Sequence, residues 1–133
     1  MIIKILIDTN FLILPLKTGK NFKIQLDNLI GFNYELLVLT DSINELAYVE
    51  PRLFENIKAN NSLIETLWPG IKIVNAESTL INNVDDRIVE YAVKNNCAVA
   101  TNDASLRSRL RKNNVTTIYL RHKSHLAIDG NIG

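Results

Sequence analysis

The sequence predicts an α/β fold: a three-layer sandwich around a central, mainly parallel sheet. Three observations carry this. Short apolar runs rich in β-branched residues recur along the chain. Stretches with apolar residues at helical spacing separate them. Gly and Pro are sparse and fall at turns, as at Trp68-Pro69-Gly70. Strands joined by helices must run parallel, because the helix is the crossover, and such a sheet is covered on both faces.

In chain order, Ile2 to Ile7 reads as a buried strand. Phe22, Ile24, Leu26, Leu29 and Ile30 suit a helix, and Tyr34 to Leu39 is the second strand. Ser42 to Val49 reads as a short helix. Pro51 fits the first turn of a longer one running through Leu53, Phe54, Ile57, Leu63, Ile64 and Leu67. Ile71 to Val74 is a third strand. Ile88, Val89, Ala92 and Val93 form a helical stripe ended by Asn95-Asn96. Cys97 to Ala100 is a fourth strand, Leu106 and Leu110 anchor the next helix, and Val115 to Leu120 is a fifth strand. The tail from Ser124 carries no strong signal; it either adds an edge strand or stays loose.

With 133 residues the expectation is one domain over 1–133, with a core over about 2–121 and a tail over 124–133. Apolar residues make up 47% and charged residues 22%, which excludes disorder as the main state. The run Phe11 to Leu16 contains Pro15 and is too short to span a membrane. No basic segment followed by an apolar one opens the chain, so a cytoplasmic protein is expected. The lone Cys97 reads as a small core residue and excludes an internal disulfide.

The carboxylates are the informative feature. Asp8 ends the first strand, and Asp103 follows the fourth, in Thr101-Asn102-Asp103. Asp85 and Asp86 open the helix that feeds the fourth strand, and Glu45 lies in the helix after the second. Ligands of open parallel sheets bind beyond the carboxyl ends of the strands, so these scattered acids are candidates for one cleft. Each also has an ordinary role. Asp8 and Asp103 suit N-caps, Asp85 and Asp86 suit the positive end of a helix, and Glu45 suits a solvated surface. At about 100° per residue, Asp85 lies along the middle of the apolar stripe and Asp86 toward its edge. The same geometry turns Glu45 away from Ile43, Leu46 and Ala47. Acids about 4 Å apart repel by on the order of 4 kcal/mol at an effective dielectric near 20. Only protonation or a cation relieves that, and hard oxygen ligands without Cys or His imply Mg²⁺ or Mn²⁺ and phosphoryl chemistry.

Charge is split along the chain. Residues 1–103 hold nine basic and thirteen acidic side chains. Residues 104–128 hold Arg107, Arg109, Arg111, Lys112, Arg121 and Lys123 and no acid. Arg107 and Arg111 are four apart and share a helix face, while Leu106 and Leu110 take the core side. A basic stretch opening at Asp103 suits a polyanionic substrate, gripped through its phosphates within reach of the acids.

This ordered set resembles the PIN-domain nucleases. The matching segments are Asp8-Thr9-Asn10-Phe11-Leu12, Ser42-Ile43-Asn44-Glu45-Leu46, Asp85-Asp86-Arg87-Ile88 and Ala100-Thr101-Asn102-Asp103, over about residues 2–121. The resemblance implies a PIN-like fold and a Mg²⁺- or Mn²⁺-dependent endoribonuclease. Asp8, Glu45, Asp85 and Asp103 would hold the metal, with Asp86 the rival of Asp85. Asn10 and Thr101 would orient ligands or water. It is the resemblance that promotes Glu45. Two branches are implied: VapC-type toxins of toxin–antitoxin pairs, and the PIN nucleases of small-subunit ribosomal RNA processing. Leu106-Arg107-Ser108-Arg109-Leu110-Arg111 and Ile118-Tyr119-Leu120-Arg121 look more like the second. Implied partners are RNA, an antitoxin or ribosome-assembly protein, and a second copy of the chain meeting the apolar helix around Phe54, Ile57, Ile64 and Leu67. A PIN-like module that binds RNA or protein without cutting is a further reading.

Other readings lack their motifs. There is no Gly-x-Gly-x-x-Gly after the first strand and no Gly-Lys-Ser/Thr signature. Asn10 stands where a haloacid-dehalogenase-like phosphatase would have a second Asp. His122 and His125 read as a polar surface pair, and Trp68, Tyr91 and Tyr119 as core or interface residues.

Overall fold

The computed structural model describes residues 2–31, 33–59, 62–76 and 83–131. Its strands are β1 (Ile3–Ile7), β2 (Tyr34–Leu39), β3 (Lys72–Val74), β4 (Ala98–Ala100), β5 (Thr117–Arg121) and β6 (His125–Asp129). Its helices are α1 (Thr9–Leu12), α2 (Leu14–Thr18), α3 (Lys23–Ile30), α4 (Thr40–Val49), α5 (Pro51–Lys58), α6 (Leu63–Leu67), α7 (Val84–Asn95) and α8 (Ala104–Lys112). The sheet runs β3-β2-β1-β4-β5-β6. Every pairing is parallel except β5 with β6. The predicted α/β sandwich is the fold.

Strand alternation divides the core. Ile5, Ile7, Leu36, Val38, Ala98, Ala100 and Ile118 face α1 to α6. Leu6, Leu37, Leu39 and Val99 face α7 and α8, meeting Ile88, Val89, Ala92, Leu106 and Leu110. The chain winds outward from β1 to β3, then returns to the other side of β1 and winds on through β4 and β5. Winding direction therefore reverses between β1 and β4, and their carboxyl ends flank a crevice there.

Four features depart from the sequence reading. Two short helices, α1 and α2, follow β1 directly, where only an apolar run was evident. The long helix expected from Pro51 is two: Ala59 ends α5, and the Leu63 N–H donates to Asn56 Oδ1 at 3.2 Å. Residues 60 and 61 of that expected helix lie outside the described residues. Of its apolar side chains, Leu53 and Ile64 are buried, and Phe54, Ile57, Leu63 and Leu67 are partly buried against the core. Finally, the tail adds an edge strand. Leu126 and Ile128 of β6 join the core, which extends past residue 121. The last two residues of the tail lie outside the described residues.

Candidate active site

Asp8 stands at the reversal point. It leaves β1 with its N–H donating to the Ala100 carbonyl at 3.0 Å, the last rung between β1 and β4. The next residue starts α1, so Asp8 caps that helix: the Thr9 N–H donates to Oδ1 at 2.7 Å. The Thr101 hydroxyl, at the end of β4, donates to Oδ2 at 2.9 Å. Both carboxylate oxygens are thus aimed by short bonds, one from each strand end. Asp8 is 5% exposed. Burial, helped by the charges of Asp85 and Glu45, pushes its carboxyl up to about 6 despite the bonds from Thr101 and Thr9.

The other acids arrive from three further elements. Asp103 caps α8, its Oδ1 accepting the Leu106 N–H at 3.1 Å. The Asp103 N–H donates to Thr101 Oγ1 at 3.1 Å, so one threonine hydroxyl links Asp8 and Asp103. Asp85 lies in the first turn of α7, behind the Asn83 cap. Burial first, then the charges of Asp103 and Glu45, raise its carboxyl above the ordinary range. Glu45 lies midway along α4, half-buried, close enough for its charge to act on both Asp8 and Asp85. The structure therefore brings together Asp8, Glu45, Asp85 and Asp103. Among the described residues none of the four has an ion-pair partner.

Asp86 is placed differently. Its Oδ1 accepts a bond from Arg109 Nη2 at 2.6 Å, across the outer faces of α7 and α8. That pairing follows from its position at the edge of the apolar stripe, and it leaves Asp85 facing the other acids. Asn10 is exposed in α1 beside Asp8. Three neighbours escaped the sequence reading. Thr9 is fully buried, its hydroxyl 3.4 Å from the Ser42 carbonyl it donates to, tying α1 to α4. Ser42 is fully buried with a hydroxyl that finds no partner. Asn102 accepts the Leu120 N–H at 2.7 Å and pins β5 to the end of β4. The signal for all three was adjacency to the acidic segments.

The expectation that the whole basic helix reaches the acids is corrected. Over its nine residues α8 climbs about 13 Å away from Asp103. Arg107 is in the first turn, with its guanidinium carbon 3.8 Å from the Tyr119 ring centroid and a buried Nε that has no partner. Tyr119 is thus a platform for an arginine at the site, not merely core. Arg109 is taken up by Asp86. Arg111, in the last turn, pairs with Asp129, and Lys112 ends the helix beside it. Arg121 ends β5 and Lys123 lies in the turn just beyond it, both exposed, at the same end of the sheet as the acids.

The donor set is made of hard oxygens, as a divalent cation of the Mg²⁺ kind requires. Among the described residues no three His, Cys, Asp or Glu side chains form a ready-made cage. An open cluster fits a cation that keeps several waters and uses only one or two carboxylates at a time. Mutual repulsion without a compensating cation is the condition that such an ion relieves.

Comparison with known proteins agrees with this arrangement. A family model described as a PIN-like domain matches residues 5–123. The chain is 32% identical over 131 residues to Ribonuclease VapC4 of Methanocaldococcus jannaschii, covering 96% of this chain and 97% of that one. Its backbone resembles the PIN domain endonuclease Utp24, with a TM-score of 0.73 at 19% identity over 97% of this chain and 92% of the other. It also resembles a PilT N-terminus domain protein of Sulfolobus solfataricus P2, with a TM-score of 0.52 at 15% identity over 88% and 87%. These two likenesses concern the fold. Four of the six strands and most of β1 lie within the matched segment, together with Asp8, Glu45, Asp85 and Asp103, and on that evidence the chain belongs to the PIN-like domain family.

Proposed function

We propose that the chain is an endoribonuclease that hydrolyses RNA phosphodiester bonds with a divalent cation, Mg²⁺ or Mn²⁺. One observation supports it above the others: acids from four separate elements lie near the switch point of the sheet, the charges of Glu45 and Asp85 acting on Asp8 and those of Asp103 and Glu45 on Asp85, and among the described residues none of the four has an ion-pair partner. The relative named a ribonuclease, similar over nearly its whole length, supports the same reading.

Asp8, Glu45, Asp85 and Asp103 would hold the cation. When bound, it supplies Lewis-acid activation of water and neutralises charge on the phosphate. The chain's own residues do the positioning. Thr101 fixes Asp8 and Asp103 relative to one another, and the Thr9 N–H holds the first oxygen of Asp8. Asn10, exposed at the mouth, orients a water or ligand. Asp86 serves from outside, keeping Arg109 in place. Arg107 grips the RNA phosphate nearest the acids, and Arg121 and Lys123 bind phosphates further along the strand.

The branch within the family bears on the partner. The VapC relative favours a toxin-type ribonuclease with an antitoxin. The segments Leu106–Arg111 and Ile118–Arg121 favour ribosomal RNA processing and an assembly partner. A short antitoxin-like reading frame beside the gene selects the first, and its absence the second. The activity itself is tested by incubating structured and single-stranded RNA with Mn²⁺ or Mg²⁺, with and without chelator. Cleavage that needs the cation and disappears in Asp8→Asn is expected. Cleavage indifferent to both, or none under any condition, overturns the reading.

A further inference from the structure

The β5–β6 hairpin ends in a turn that its sequence disfavours. The Ser124 N–H donates to the Arg121 carbonyl at 3.1 Å, and the two central residues, His122 and Lys123, have φ of 51° and 60°. Positive φ at both central positions is type I′ geometry, which strongly prefers Asn-Gly. Histidine tolerates the left-handed region better than most residues, but Lys123 stands where glycine is preferred and its Cβ is crowded. Such local strain persists only where the surroundings enforce it, and it concentrates at functional sites.

The surroundings do enforce it. On one side β6 pairs with β5 from Thr117↔Asp129 to Arg121↔His125. On the other, Gln25 of α3 grips the outer edge just past the turn. Its Nε2 donates to the Ser124 carbonyl at 3.1 Å, and its Oε1 accepts the Leu126 N–H at 2.9 Å. One side-chain amide occupies the two hydrogen-bonding positions an added strand would take, so the tip is held rigidly.

Apart from Ser124, the tip carries cationic or titratable basic side chains: Arg121, His122, Lys123 and, opposite Arg121, His125. All four are exposed, and none is in an ion pair among the described residues. It stands at the acidic end of the sheet. Register places Ile118 beside Ala100 and Ala100 beside Ile7, so Arg121 lies roughly 7 Å beyond the level of Asp8 and about 10 Å across the sheet. Alternation puts Arg121 on the face of Tyr119, where Arg107 stacks with its unpartnered Nε. A line of cationic groups thus leads from Asp103 through Arg107 to the turn.

We propose that this strained turn is a fixed finger that grips the phosphate backbone of single-stranded RNA a few nucleotides from the phosphate at the acids. The proposal rests on the RNA reading above and adds the site that sets the strand's path. Rigidity matters here because side chains on an ordered turn lose less freedom on binding.

The test is His122→Asn with Lys123→Gly, which installs the favoured I′ pair and removes a charge. The full chain is assayed with a fluorescent single-stranded RNA oligomer in chelator, so that cleavage does not enter, over a range of salt. Melting temperature should rise by about 3 °C as strain is relieved. Affinity should fall several-fold, and the slope of log Kd against log salt should drop by about 0.7, one phosphate contact on a single strand. Lys112→Ala, the same loss of charge at the far end of α8, should leave the slope unchanged. An unchanged slope in the double variant overturns the proposal, as does an equal drop in Lys112→Ala, which would mean diffuse attraction. Weakened capture of an acidic protein with undiminished RNA binding overturns it in favour of a protein partner. The nuclease reading fails separately: no cation then supports cleavage, whatever the tip does to RNA binding.

Discussion

The two ends of the sheet treat acids in opposite ways. At the amino ends of the parallel strands, Asp27, Glu35 and Asp129 are each matched by a cation. Lys23 bonds Asp27 at 2.7 Å and Tyr34 at 3.0 Å, Lys72 lies 3.6 Å from Glu35, and Arg111 pairs with Asp129. An open cavity of about 550 Å³ lies there too, lined in part by Lys4, Arg111 and Asp129. At the carboxyl ends, none of Asp8, Glu45, Asp85 and Asp103 has an ion-pair partner among the described residues, while Arg87 and Arg109 pair with Asp41 and Asp86 at the margins. The chain clearly has arginines available near the cluster and spends them on neighbouring acids. Repulsion kept where it could have been neutralised is the mark of a site adapted to something absent from the chain itself.

The strongest way to break that contrast is Asp8→Asn. It keeps the shape and the Thr9 N–H bond to Oδ1, puts an amide NH2 where the second oxygen accepts from Thr101, and removes the most buried charge of the group. Cleavage measured at saturating Mn²⁺ should fall by roughly 10³-fold or more, given the usual cost of losing a group that acts as part of a unit. Circular dichroism should show an intact fold. Activity within tenfold of the parent would make Asp8 a helix cap only.

The next effect is on stability. A carboxyl at about 6 in the fold, against its ordinary 3.8 in the unfolded chain, binds more protons when folded between those values. Stability is therefore fully present below the unfolded value and is lost as pH rises through about 4 to 6, by about 2–3 kcal/mol from this group. In the metal-free chain, melting temperature should fall over that window and Asp8→Asn should flatten the fall. Divalent cation should raise melting more at neutral pH than at pH 4, since only ionised acids bind it. A melting curve that rises with pH through this window would mean that the acids are stabilised by partners at the site.

A smaller effect belongs to the margin. The charge of Arg109 lowers the Asp85 carboxyl, so Arg109→Ala should sharpen the repulsion inside the cluster. With both partners partly exposed, the pair with Asp86 is worth roughly 0.5 kcal/mol, and cleavage should change only a few-fold. Loss as large as that of Asp8→Asn would promote Asp86 from a margin residue to a member of the cluster.

Much of this was legible in the chain, and the gaps have physical causes. Strands β1, β2, β4 and β5 declare themselves because both faces are buried, giving apolar runs that need no periodicity. The same burial hid α1 and α2: Phe11, Leu12, Ile13 and Pro15 are all buried, so no polar stripe marks a helix. Asp8 and Asp103 were read both as caps and as site residues, and they are both placed to cap and drawn into the cluster. Glu45 shows the limit of the helical wheel. It does point away from the apolar face of α4, yet that side looks over the strand ends rather than into solvent. Only the placement of α4 at the end of β2, without an intervening loop, reveals this. The fate of the cations was least legible, because Asp86 and Asp129 lie 23 and 18 residues from the arginines they hold.

The smallest expected effect tests the far end. Arg111 shares a helix face with Arg107 in sequence, and the sequence reading assigns RNA to both. In the fold they are one turn apart along a helix that leads away from the acids, and Asp129 already neutralises Arg111. Its exposed ion pair contributes little, so Arg111→Ala should leave melting close to the parent. RNA affinity and its salt slope should also hold, while Arg107→Ala loses the arginine stacked on Tyr119 and weakens binding with a shallower slope. Equal losses in both would show the strand running down α8 toward the cavity at the opposite end. The contrast between the two ends of the sheet would then describe two stretches of one RNA path rather than a site and its scaffold.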